Sequence, residues 1–119
     1  MNLTRTILHI TTRREWEQAL VKREYRAASL EPEGFIHCST PLQIVSVAEA
    51  FFSDHRGLVL LCINPEKLTS PLFYEGPEDY SYGYFPHVYG PINLEAVAAV
   101  LPFDPDPEGR FHLPEGIPK

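Results

Sequence analysis

Two stretches of this chain share one grammar, and that grammar leaves few folds open. Leu8-His9-Ile10-Thr11-Thr12-Arg13-Arg14-Glu15 and Ile36-His37-Cys38-Ser39-Thr40-Pro41-Leu42-Gln43 each run apolar, His, apolar, hydroxyl, Thr, two residues, then Glu or Gln. The first half of each is an alternating strand, in which successive side chains point to opposite faces. Phe35, His37 and Ser39 then share one face, and Ile36 and Cys38 the other. The second half is a helix start. A Thr at the N-cap with Glu15 or Gln43 three residues on reads as a capping box, and Pro41 suits the first helical position. A chain with two such junctions stacks helices on a sheet. Each histidine also looks out beside a helix N-terminus, where unpaired N–H groups and the dipole favour anions.

The remaining segments fill in that plan. The first strand covers residues 6–11 and leads into a helix over about 12–24, with Trp16, Ala19, Leu20 and the stem of Arg23 inside. Residues 26–34 read as a turn-rich connection. A second helix over about 41–53 carries a broad apolar stripe of Ile44, Val45, Ala48, Phe51 and Phe52. Leu58 to Ile63 (LVLLCI) is a continuous apolar run of strand length, the mark of a central strand buried on both faces. A single helical turn fits residues 66–68, and Leu72 to Glu75 is a short strand. Gly76 to Tyr84 (GPEDYSYGY) is too polar for core and reads as a loop that folds over something. Glu95 to Phe103 is taken as a strand, because it ends at Pro102 and the sheet needs another member. A helix is the open alternative there. The expectation is a single α+β domain over 1–103 built on a split, curved sheet with two main helices. A Pro-rich tail over 104–119 is packed on that domain or trails from it.

Charge and cysteine usage narrow the function. With 16 acidic residues against 10 basic, the net charge of −6 argues against a large nucleic acid as partner, since Lys and Arg supply most of that affinity. Cys38 and Cys62 both sit inside apolar runs without a Cys-x-x-Cys pair, which reads as two buried thiols rather than a zinc site. No apolar run approaches membrane-spanning length, so the expectation is a cytoplasmic protein with no membrane partner.

A third segment, Phe85-Pro86-His87-Val88-Tyr89, repeats the His-to-hydroxyl spacing without a helix. Polar residues on otherwise apolar strands need partners, so His9, His37 and His87 are expected to meet across one cleft. The competing reading is that each is satisfied by a neighbour or by backbone. A three-histidine zinc site is chemically reasonable, yet no His-x-His or His-x₃-His spacing supports it. Cys38 points away from His37, and Ser39 shares its face but has no carboxylate in sequence reach to complete a hydrolase triad. His55 and His112 read as surface residues. A helix N-terminus keeps a nearby histidine neutral, which suits holding a ribose hydroxyl or polarising a carbonyl. Arg13 and Arg14 in the first helical turn would suit a diphosphate. Tyr25, Tyr82, Tyr84 and Tyr89 offer an aromatic face for a flat ring.

The motifs His9-Ile10-Thr11, Gly34-Phe35-Ile36-His37-Cys38-Ser39-Thr40 and Phe85-Pro86-His87-Val88-Tyr89-Gly90-Pro91 resemble the small bacterial family called domain of unknown function 952, nearly throughout the chain up to Phe103. That family has been grouped with the ADP-ribosyltransferase-like fold, and the resemblance implies a cleft for a nicotinamide dinucleotide. It implies that His9 and Thr11 hold the nicotinamide-side ribose and that His37 or Tyr25 lines the nicotinamide pocket. The third position, usually Glu, activates the acceptor, and here the sequence departs, offering His87 and, less strongly, Glu75. The catalytic set is therefore His37, His87 and Glu75. Ligand binding falls to His9, Thr11, Thr12, Arg13, Tyr25, Ser39, Thr40 and Tyr89, with NAD as the implied cofactor and no metal. The expected function is binding of NAD or a related nucleotide, with transfer or removal of an ADP-ribosyl or phosphate group. The alternatives are a non-catalytic nucleotide-binding module, a histidine-lined metal site, or a structural domain without a ligand.

Overall fold

A continuous apolar strand can be buried only if sheet partners flank it and other elements cover both faces. That is where LVLLCI sits. The computed structural model describes residues 6–76 and 83–118, and in it Leu58–Ile63 (β4) is the middle of an antiparallel sheet. Its neighbours are β1 (Ile7–Thr12) and β8 (Val97–Pro102). All six residues of β4 are buried. The odd-numbered ones, Val59, Leu61 and Ile63, join a core with Ile7, Ile36 and Val88, under helix α1 (Arg13–Lys22). The even-numbered ones, Leu58, Leu60 and Cys62, join a second core with Leu8, Ile44 and Ala48, under helix α3 (Ile44–Phe51).

The first junction forms as its residues dictate. Thr12 caps α1, its hydroxyl accepting from the Glu15 amide at 3.0 Å while the Glu15 carboxylate takes the Thr12 amide at 3.3 Å. The helix ends two residues short of the expected 24, at a left-handed Arg23 (φ 68°), because Glu24–Tyr25 (β2) leaves to pair with Ile92–Asn93 (β7). Leu20, expected inside, is half exposed. A short helix α2 (Leu30–Glu33) occupies the connection read as turns.

The second junction differs from its reading. The strand β3 is only Ile36–His37, and α3 starts at Ile44 rather than Pro41. Thr40 still opens the turn, its carbonyl accepting from the amides of both Gln43 and Ile44. Only half of the capping box forms: Gln43 Oε1 takes the Thr40 amide at 2.9 Å. Its amide nitrogen is spent on the Tyr84 carbonyl at 2.8 Å, which ties the helix start to the segment before β6. Phe51, expected in the core, is 72% exposed.

Beyond β4, a 3₁₀ turn at Pro65–Lys67 precedes β5 (Leu72–Glu75), and β6 (Phe85–Val88) follows. These two strands and β3 form a second three-stranded sheet, order β3-β6-β5, with His37 directly opposite His87. An antiparallel bridge between Leu8 and Ser39 joins β1 to the chain leaving β3. Residues 94–96 form a 3₁₀ turn and residues 97–102 the strand β8, as the Pro102 stop implied. The tail returns over α3, where Phe111 is buried against Phe103 with ring centroids 5.2 Å apart. The GPEDYSYGY loop, with Tyr82, falls mainly outside the described residues.

Gly90 closes the turn from β6 toward β7 at φ +151°, and a Cβ there would lie 2.4 Å from Ser70 Oγ. Ser70 Oγ is itself bonded to the Pro91 carbonyl at 2.7 Å. Gly90→Ala is expected to lose about 2 kcal/mol of stability, a fall of roughly 8 °C in melting temperature. Thermal denaturation checks this, and an unchanged melting temperature would remove the constraint assigned to Gly90.

Candidate functional site

A cleft of about 850 Å³ opens along the free edge of β1. Its walls come from β1, the start of α1, residues 25 and 27–29, the β3–β6 edge and one side of α3. His9, His37 and His87 all line it, as do Thr11, Thr12, Tyr25 and Ser39. Four of the site residues expected from sequence do not: Arg13, Thr40, Glu75 and Tyr89.

His9 is internally satisfied. Its Nδ1 meets the His37 carbonyl, which can only accept, so Nδ1 carries the proton. Nε2 is then the acceptor for the Tyr25 hydroxyl at 2.7 Å. Burial drives the His9 pKa down to about 4, against smaller opposing effects of that carbonyl and of Glu15, so the ring is neutral. A ring with both nitrogens engaged has no site left for a ribose hydroxyl. His9 instead clamps β1 to β3 and fixes Tyr25, whose own ionisation burial suppresses.

Glu15 occupies the anion position that a helix N-terminus would otherwise offer a phosphate. Its Oε1 accepts from Thr11 Oγ1 (2.8 Å), Thr12 Oγ1 (3.1 Å) and the Thr12 amide (3.3 Å). Burial opposes ionisation, yet these bonds outweigh it and hold the carboxyl below its ordinary range. Thr11 and Thr12 are therefore committed to Glu15, and Arg13 gives its amide to the Gly57 carbonyl at 2.8 Å.

On the second sheet the same face of β3, β6 and β5 carries a ring cluster. Phe35 stacks on His87 at 4.1 Å between centroids and 21° between planes, and the His37 ring lies 5.3 Å from His87. Each histidine has a carboxylate. His87 Nδ1 donates to Glu75 Oε1 at 2.8 Å, and His37 Nε2 to Glu33 Oε1 at 2.9 Å. Tyr89 also donates to Glu75 Oε1, at 2.7 Å. The bonds from Tyr89 and then His87 lower the Glu75 pKa. With Nδ1 bonded to Glu75, His87 Nε2 has no partner among the described residues.

Two buried backbone groups complete the cleft. Leu8 turns its N–H and carbonyl outward to Ser39, both at 2.7 Å. In an antiparallel strand these groups alternate sides, so His9 and Thr11 bond to β4 and Ile10 turns outward like Leu8. Among the described residues nothing pairs with the Ile10 N–H or carbonyl. Ile10 is 7% exposed and lines the cleft. Buried backbone polar groups are almost always paired, so this edge is the site's strongest pointer to a ligand.

Sequence reasoning missed Ile10, Phe35 and Glu33. Glu33 left a signal in its i,i+4 spacing to His37, and Phe35 in the strand alternation that puts it on the His37 face; Ile10 left none. His55, read as a surface residue, is exposed but lines the cleft mouth. Cys38 and Cys62 are buried thiols, with burial pushing the Cys62 pKa up to about 11 and the Cys38 pKa still higher. Neither suits a nucleophile. Among the described residues no helix is long and apolar enough to cross a membrane, and no cluster of three His, Cys, Asp or Glu could hold a metal ion.

A family model described as "Protein of unknown function (DUF952)" matches residues 10–100. The chain belongs to the DUF952 family. The crystal structure of CC0527 from Caulobacter crescentus is similar at 30% identity, covering 91% of this chain and 94% of that one, with a TM-score of 0.81. The crystal structure of a double mutant of CC0527 gives 29% identity and a TM-score of 0.80 over the same shares. The solution NMR structure of CC0527 gives 30% and 0.74, covering 88% of this chain and 90% of that one. No curated protein sequence matches. The DUF952 match takes in every described element that lines the cleft except the first residues of β1.

Proposed function

We propose that this DUF952 protein is an ADP-ribosyltransferase-like binding protein whose cleft takes a flat ring bearing a carboxamide, as carried by NAD or a related compound. The observation that carries the reading is the open edge at Ile10. One donor and one acceptor on a single residue match a carboxamide, which presents an acceptor and a donor in return, as Ser39 does to Leu8. A single open residue is too short for an added peptide strand. Tyr25 and Phe85 border the cleft and offer aromatic surface for such a ring. On this reading His87 Nε2, without a partner among the described residues, takes a proton from an acceptor hydroxyl, with Glu75 orienting the imidazole. His37 stands beside it as the partner group.

Calorimetry on the whole chain with NAD, NADP, ADP-ribose and nicotinamide tests binding. No heat with any of them at millimolar ligand would sink the proposal. A second reading, a binding module without turnover, is favoured by one observation: Glu75 lies outside the cleft lining and is held by Tyr89 and His87. Nicotinamide release that is lost in His87→Ala, with binding unchanged, decides for the enzyme. Binding without release decides for the module.

A further inference from the structure

Charge in this cleft is distributed against phosphate. Among the described residues, none that lines it is Lys or Arg. Its one carboxylate among the described residues is Glu15, whose charged form is favoured by Thr11 and Thr12. Residues 68–109 contain neither Lys nor Arg, so the whole run that includes β5, β6, β7 and β8 adds no cation. The nearest cations in sequence are exposed. Arg13 and Arg14 lie on the first turn of α1, Arg26 pairs with Glu24 at 2.8 Å, and Arg56 Nη1 donates to the carbonyls of His55 (2.8 Å) and Ser53 (3.3 Å). The α1 N-terminus, the natural phosphate cradle, is already filled by Glu15.

The other half of the cleft is apolar. Ile44, Val47, Phe51, Phe52 and Leu58 line it, and Phe51 is largely exposed there. A charged diphosphate placed against that wall would lose hydration with no counter-charge to replace it.

We infer that the cleft selects a neutral or cationic aromatic carboxamide without a phosphate, its amide on the Ile10 edge and its body against the α3 wall. This rests on the carboxamide reading above and narrows it from a dinucleotide to a phosphate-free ring or nucleoside. Glu15 then disfavours an anionic ring and tolerates a pyridinium. A ring carboxylate fails twice, because it has no N–H for the Ile10 carbonyl and it meets a like charge.

The test is a titration of the full chain, followed by amide NMR shifts, with five probes: nicotinamide, its N-methyl pyridinium, nicotinic acid, nicotinamide riboside and NAD. Nicotinamide and the pyridinium are expected to bind, with nicotinic acid at least about tenfold weaker. The riboside is expected to bind at least as tightly as NAD, with little change between low and high salt. NAD binding about tenfold tighter than the riboside, with the surplus lost at high salt, overturns the inference and leaves the carboxamide reading standing. No binding by any probe overturns both. Glu15→Gln keeps acceptors for Thr11 and Thr12 and is expected to narrow the gap between nicotinic acid and nicotinamide. An unchanged gap, in a variant whose melting temperature matches the wild type, refutes the role given to Glu15.

Discussion

Replacing His9 by leucine lowers the unfolding free energy by about 3 kcal/mol at pH 7, because the Tyr25 hydroxyl and the His37 carbonyl are left buried without partners. The same change removes the His9 contribution to the acid sensitivity of the fold between pH 6.5 and 4. The folded pKa of His9 is about 4 against 6.5 for the free side chain, so the unfolded chain binds the extra proton first. The stability this group contributes is complete above pH 6.5, declines as pH falls, and is gone once pH passes 4. The span corresponds to about 3 kcal/mol. Urea denaturation of wild type and His9→Leu at pH 7 and pH 4.5 measures it. The two stability curves should converge as pH falls; parallel curves would show that the ring is not held neutral. Tyr25→Phe on the His9→Leu background should recover part of the loss, since it removes an orphaned hydroxyl.

Ile10→Pro abolishes carboxamide binding, with an affinity loss of at least about 30-fold, while the fold survives. Proline removes the one N–H that faces the cleft and sets a ring carbon in its place. It spares the β1–β4 ladder, whose bonds belong to His9 and Thr11. Ile10→Val keeps both edge groups and should bind as the wild type does. Nicotinamide titrations of the two variants, beside circular dichroism to confirm the fold, separate the backbone role from side-chain packing. Equal loss in both variants would assign the contact to the side chain and remove the argument for an edge-bound amide.

Both results turn on neighbours that the chain brings together from afar. The strand-to-helix grammar at Leu8–Glu15 was legible because every contact in it is local: Thr12 and Glu15 are three residues apart, and their reciprocal bonds need nothing else. The matching grammar at Ile36–Gln43 was only half realised: the Gln43 backbone amide closes a turn onto the Thr40 carbonyl instead of the Thr40 hydroxyl, and the Gln43 side-chain nitrogen goes to the Tyr84 carbonyl 41 residues away. The histidines show the same division. Alternation placed His37 with Phe35 on one face and marked His87 as its counterpart. Glu33, four residues from His37, was within local reach, but nothing local could show that strand pairing sets His37 opposite His87 or brings Glu75 to His87.

What the sequence by itself determined is the set of elements and their buried faces: a central strand at LVLLCI, two helices with apolar stripes, and histidines on strand faces. Period and capping are properties of neighbouring residues, so they survive without coordinates. The tertiary structure alone decided what those histidines do. It engaged both nitrogens of His9, leaving it a clamp, and opened the edge of β1 at Ile10 by ending the bridge to Ser39 after one residue pair. Hydrogen-bond saturation depends on which distant groups arrive first at each donor and acceptor, and only the folded chain settles that.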